Sequence, residues 1–199
     1  MALLVGCASR GPKPDTGGDV EARPDGVGTV EVGAVTVDPP TLTEAPPPEA
    51  ALAYRAAQEH FDGGRWAEAV AEAQRATDLD AETTDYQLML GRALSERIHQ
   101  LPVFNKLPMA RRIEAAFLRA VELDPASIEG HIALARYYSE APPIAGGDRG
   151  KAEHHARRLL ELDPTEGHTM LAKLFDLWQR PEDAEKHRAL AAEAAEGSD

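Results

Sequence analysis

A six-residue phrase recurs along this chain. Ala120-Val121-Glu122-Leu123-Asp124-Pro125 returns as Leu159-Leu160-Glu161-Leu162-Asp163-Pro164, and a weaker copy stands earlier as Ala76-Thr77-Asp78-Leu79-Asp80-Ala81. Each copy is the tail of an apolar-periodic run that closes on Asp. Proline lacks a backbone donor and drives the residue before it out of the helical region, so Asp-Pro stops a helix. The same proline, with φ already fixed, is well suited to start the next one. A stop phrase followed each time by a fresh run at helical spacing predicts a stack of helical hairpins. Each hairpin leaves an apolar face that only its neighbour can cover, so three or more units must stack before any is stable.

Composition divides the chain near residue 50. Residues 50–199 are rich in Ala, Leu, Glu and Arg, all strong helix formers, and are numerous enough to bury a core. Residues 8–49 are poor in apolar side chains and punctuated by Gly-Pro, Pro-Asp-Gly and Pro-Pro, which predicts a disordered tether. A flexible linker of that length would span about 35 Å r.m.s.. Within it, Val30, Val32, Val35 and Val37 nearly alternate with small residues, as a transient extended segment would. The net charge is −13 and no basic patch is visible, which argues against a nucleic-acid backbone as partner. No run of 18 or more apolar residues is present to span a bilayer as a helix.

The repeats divide at 50–83, 84–127, 128–166 and 167–196. At matching places stand Ala56-Ala57, Leu90-Gly91, Leu134-Ala135 and Leu171-Ala172, followed by His60, Leu94, Tyr138 and Phe175. Gly64-Arg65-Trp66-Ala67-Glu68-Ala69 forms a turn and second-helix start, with Ala152 and Ala184 at the place of Ala69. The small residues let paired helices approach closely. This pattern resembles the tetratricopeptide repeat family, whose 34-residue unit carries W-x₂-L-G-x₂-Y, then A-x₃-F, then P. Ala53 replaces the Trp of the first unit, and Ala81 its Pro. The resemblance implies an all-α fold, a helical-hairpin repeat solenoid of three to four units over residues 50–196, preceded by the disordered tail. It also implies a concave groove that holds a protein or peptide, and no catalysis.

Two insertions depart from the 34-residue period. Ala76 and Ala120 are 44 residues apart, so ten extra residues lie around Arg97–Met109; Pro125 and Pro164 are 39 apart, so five are extra in Ala141–Gly147. In the first, Ile98, Leu101, Val103, Phe104 and Leu107 are too apolar for a free loop and suggest a satellite core, or alternatively a partner-docking edge. The second, with Pro142-Pro143 and Gly146-Gly147 ahead of Asp148, reads as a shaped turn with Asp148 capping the next helix; an anion cradle is the alternative.

Side chains with chemical potential are scattered. Seven histidines occur, but none pairs as His-x₃-His, and adjacent His154 and His155 point about 100° apart on a helix, so neither a metal nor a cofactor is expected. Nucleophile-elbow, phosphate-loop and dinucleotide fingerprints are absent. By the family's register the first helix of each hairpin lines the groove, with Gln58, Arg92 and Arg136 at one level and Tyr54, Leu88 and Ile132 one turn earlier. Two guanidiniums above an apolar strip would suit a peptide's C-terminal carboxylate through their planar forks. The competing reading pairs Arg92 with Glu96 and Arg136 with Glu140 along their own helices.

Cys7 has no internal partner for a disulfide. Leu4-Val5-Gly6-Cys7 resembles the bacterial lipobox, which implies a lipid anchor on Cys7, with residues 1–7 as a shortened signal segment and a true start upstream. No Asp follows the cysteine, so the resemblance implies the periplasmic face of the outer membrane; an accidental thiol would leave a cytoplasmic protein. The functional expectation is a scaffold tethered to the cell envelope. The alternative is a small-ligand-binding accessory protein of an envelope transporter. Nothing in the sequence specifies the partner or the oligomeric state.

Overall fold

The computed structural model describes residues 48–197. The lipobox, the valine segment and the tether up to residue 47 lie outside the described residues. Pro48 and Glu49, read above as the end of the tether, already belong to the first helix.

Among the described residues the chain forms eight α-helices in four antiparallel hairpins. They are α1 (Pro48–Asp62) with α2 (Trp66–Leu79), α3 (Thr84–Arg97) with α4 (Val103–Leu123), α5 (Ile128–Glu140) with α6 (Arg149–Leu162), and α7 (Pro164–Leu177) with α8 (Pro181–Glu196). Each helix packs on the next in order, and the first helices of two consecutive hairpin pairs also touch, α1 on α3 and α5 on α7. This is the nested helical-hairpin solenoid that the repeated phrase predicts.

The aspartates of that phrase all bond backbone N–H groups just beyond their helices. Asp80 accepts from the Glu82 amide at 3.0 Å, Asp124 from Ala126 at 2.9 Å and Asp163 from Glu166 at 3.0 Å. Asp163 ends α6 and caps α7, with Pro164 at the first helical position. Such a cap satisfies a donor that helix geometry leaves orphaned.

Small residues set the helix spacing. Ala57, Ala69, Ala135, Ala152 and Ala184 are fully buried. Gly91 is needed for a closer approach, because a Cβ there would stand 2.3 Å from the Phe117 ring on α4. Leu94, Leu134 and Leu159 fill the centre of the core. In α8, the last described helix, Ala184 is the one buried residue, packed against the core.

The first insertion lengthens the second hairpin mainly in its second helix. A short 3₁₀ turn, Ile98–Gln100, continues α3, but the added residues mostly extend the start of α4, which reaches 21 residues against 14 in α2 and α6. Ile98 packs on the main core, whereas Val103 and Phe104 are 84% and 79% exposed. The satellite core expected here is therefore not formed by those two residues. They follow Pro102 at the solvent-facing end of α4, which offers them nothing to pack against.

The second insertion folds as a 3₁₀ turn, Pro143–Ala145, closed by Gly146 at φ 99°. Asp148 Oδ1 then accepts from the Lys151 amide at 3.0 Å, capping α6 and placing a carboxylate where an anion would have to sit. The loop is the shaped turn of the sequence reading.

Candidate functional site

The regular packing of first helices is interrupted between the second and third hairpins. α3 and α5 do not pack along their length as α1 and α3 or α5 and α7 do. The space between them is a half-open groove of about 840 Å³, floored by α4. Its floor and walls are apolar, with Phe61, Ala110, Ile113, Phe117, Ile132 and Tyr137 among them.

Both insertions reach this groove. Val103 and Phe104 from the first and Ile144 from the second line its mouth, and Ile144 is 80% exposed. Residues from two different repeats, far apart in sequence, thus form the two lips of one cleft. A tyrosine fixes the second lip. The Tyr137 hydroxyl lies within donating reach of the Ala145 carbonyl and, at 3.0 Å, of the Ala110 carbonyl, giving its proton to one at a time. Burial, and then the Glu114 carboxylate, push this phenol up to about 12, so it remains a donor through the neutral range.

The rim is polar and of mixed sign. Arg92 reaches from α3 to Glu129 on α5 at 3.4 Å and stacks over the Phe61 ring at 5.0 Å. Arg136 pairs with Glu140 at 3.6 Å. Lys106, Glu96 and His99 complete the border. The Ser95 hydroxyl is turned back onto the Gly91 carbonyl at 2.8 Å.

The six groove candidates read from the sequence separate in the structure. Arg92, Ile132 and Arg136 line the cleft together. Gln58 lies beside it, in a smaller recess that it shares with Arg92. Tyr54 is half-buried against Tyr86, ring centroids 5.1 Å apart, and its phenol is raised by burial and then by Asp85. Leu88 is 5% exposed and belongs to the core, not to the cleft. The apolar strip expected from Tyr54, Leu88 and Ile132 is therefore not continuous; α4 supplies the apolar floor instead. The i, i+4 pairing holds for Arg136, while Arg92 turns across the cleft to Glu129 in place of Glu96.

Sequence reasoning missed Phe61, Ile144 and Tyr137 as cleft residues. Phe61 ends the first helix of its own hairpin, yet serves the next one. Register alone gives no sign that the α3–α5 spacing opens. Among the described residues, no three or more His, Cys, Asp or Glu side chains come together as a metal-binding group. No described helix is long and apolar enough to cross a membrane.

No protein-family profile matches the chain, and no curated protein matches its sequence. Solved structures do resemble it. A crystal structure of TTC0263, a thermophilic TPR protein in Thermus thermophilus, aligns over 75% of this chain and 75% of its own, at 19% identity and a TM-score of 0.63. A crystal structure of MamA aligns over 75% of this chain and 80% of its own, at 15% identity and a TM-score of 0.58. At these identities the likeness concerns the fold, and that fold is the tetratricopeptide-type helical solenoid.

Proposed function

We propose that this protein is a non-catalytic scaffold whose α3–α5 cleft holds a segment of a partner protein. The observation that carries the reading is the exposure of Val103, Phe104 and Ile144 at the mouth of an already apolar cleft. Exposed apolar groups gathered at one place mark interaction surfaces, whereas scattered ones do not. Side chains standing this far out are covered by a polypeptide that fills the cleft and overlaps its edges.

A second reading, a small-ligand accessory protein of a transporter, is favoured by the volume, since small-molecule sites run from about 300 to 1,000 Å³. A molecule confined to the cleft leaves the three lip residues in water, which is why the protein segment is preferred.

Arg92 and Arg136 are placed to greet an acidic group or a C-terminal carboxylate on that segment. Each already meets a carboxylate of its own chain, so the occupant must exchange with Glu129 or Glu140. Both pairs are about half exposed or more, and ion pairs of this kind are worth about 1 kcal/mol or less, so the exchange is inexpensive. Apolar anchors therefore carry the affinity and the arginines orient the segment.

The cellular setting we propose is the envelope, with Cys7 as lipid anchor; the support is the lipobox-like Leu4-Val5-Gly6-Cys7. Mass measurement of the mature N-terminus tests it, and an unmodified Met1 would rule it out. For the cleft, peptides selected from a displayed library on the full chain are to be compared on wild type, Phe104→Asp and Ile144→Asp. Binding weakened at least tenfold by either change supports the reading. Equal binding to all three proteins, or no selected peptide, refutes it.

A further inference from the structure

Four of the seven histidines form two pairs at equivalent places in consecutive hairpins. His131 on α5 meets His155 on α6, and His168 on α7 meets His187 on α8, each with Nδ1 to Nδ1 at 2.9 Å. Counted from Leu134-Ala135 and Leu171-Ala172, His131 and His168 hold the same position; counted from Ala152 and Ala184, so do His155 and His187. The second hairpin has Gln87 and Ala116 at these places.

Hydrogen bonding fixes where the protons lie in the first pair. His131 Nε2 is 3.2 Å from the Pro125 carbonyl, which can only accept, so the neutral ring carries its proton on Nε2 and presents a lone pair on Nδ1. His155 must then donate from Nδ1. Gln87 in the second hairpin makes the matching bond, its amide donating to the Ala81 carbonyl at 3.4 Å. Glutamine thus performs the same structural task without titrating near neutral pH.

We propose that the two histidine pairs are a proton-sensitive fastening of the third and fourth hairpins, secure while both rings of a pair are neutral and share one proton between them, and progressively weakened as acid charges the rings. One added proton leaves the contact intact as an imidazolium donating to an imidazole, but it creates a cation in a confined setting. A second sets N–H against N–H at the same distance. The surroundings oppose even the first. His131 faces Arg158 and His154 of α6, with Asp124 beyond α4 as the opposing charge; His155 faces Lys151 and His154 and lies stacked on Tyr138, which donates to Glu114 of α4. His187 faces Lys186 of its own helix and Arg157 of α6, with Asp183 opposing.

Burial lowers the titration of His131 and His187 and brings His155 down to about 4; the paired ring adds most to this for His155 and His187, ahead of the neighbouring cations, while the bond to the Pro125 carbonyl partly opposes it for His131. The sign follows from linkage. A histidine depressed by folding stabilises the native state above its ordinary range and loses that contribution as the pH falls toward the depressed value. For His155 alone, moved from 6.5 to about 4, the folding equilibrium drops roughly twentyfold between pH 7 and pH 5. Solenoids respond locally because each unit contacts only its neighbours. The open α3–α5 spacing makes the boundary before the third hairpin a natural place for release.

The test uses the full chain. Imidazole ¹H–¹⁵N spectra at pH 7.5 are expected to show His131 as the Nε2–H tautomer and His155 as the Nδ1–H tautomer. Amide exchange in α5–α8, corrected for intrinsic rates, should rise on acidification from pH 7 to 5 at least tenfold more than in α1 and α2. The variant H131Q/H155A/H168Q/H187A, which copies the chain's own Gln87/Ala116 solution twice, should lose that excess. Should it fail to fold at pH 7.5, by far-ultraviolet circular dichroism, H131Q alone takes its place and should reduce the excess. Reversed tautomers, equal acid response in all hairpins, or an excess that persists in the folded variant would overturn the proposal. None of these readouts depends on what the cleft binds.

Discussion

Replacing Gly91 by Ala is the sharpest probe of how this solenoid is assembled. Ala57 and Ala135 occupy the same register in neighbouring hairpins and are fully buried, so a methyl group is ordinarily welcome there. At Gly91 it would lie 2.3 Å from Phe117 Cε1 and 2.6 Å from Cδ1, where carbon atoms rest at about 3.5–4.0 Å. Phe117 is 4% exposed, so its ring has little room to retreat. Overpacking of this kind costs about 1–3 kcal/mol, against about 1 kcal/mol gained by Ala over Gly within a helix. The net expectation for Gly91→Ala is a loss of about 1 kcal/mol. In a Phe117→Leu background the clash is relieved and the same change should stabilise by about 1 kcal/mol. Urea unfolding of the four proteins gives the coupling, expected at about 2 kcal/mol. Additivity within about 0.5 kcal/mol would refute the close-approach argument.

Further outcomes follow from burial and capping. Asp163→Ala removes the cap shared by the α6–α7 junction and should cost about 1 kcal/mol in urea unfolding. Leu134→Ala empties a fully buried site in α5 and should cost about 2–5 kcal/mol by the same assay. Phe104→Ser should change stability by no more than about 0.5 kcal/mol, because that side chain is 79% exposed; a loss above about 2 kcal/mol would mean that it is packed after all. Arg92→Ala with Arg136→Ala should weaken peptides ending in a free carboxylate more than their amidated forms, by competition binding, and unchanged affinity would remove the orienting role.

The hairpin architecture was legible because it rests on local chemistry. Asp124-Pro125 and Asp163-Pro164 mark helix boundaries through the missing proline donor and the capping carboxylate, and both act within three residues. The small residues at Ala57, Ala69, Ala135 and Ala152 could be read because a repeat displays the same need several times. The cleft was half legible. Arg92, Ile132 and Arg136 followed from register, yet Leu88 obeyed the same register and went into the core. Its side chain is covered by the main core, a tertiary outcome that register alone does not reveal. The lips were harder still. Val103 and Phe104 look like core by residue type, and only the tertiary arrangement shows that α4 carries them past the end of the packed helices. The histidine pairs were hidden for a different reason: the members of each lie 24 and 19 residues apart, and the equivalence emerges only when both helices of two hairpins are aligned together.

The central claim is that a protein segment lies in the cleft between α3 and α5. Hydrogen-exchange footprinting of the full chain, with and without a peptide selected on it, tests this most directly. Protection confined to α3, the first half of α4, α5 and the turn at Pro143–Ala145 is the predicted result. Protection on the outer faces of α2, α6 or α8 instead, with the cleft segments unchanged, would contradict it.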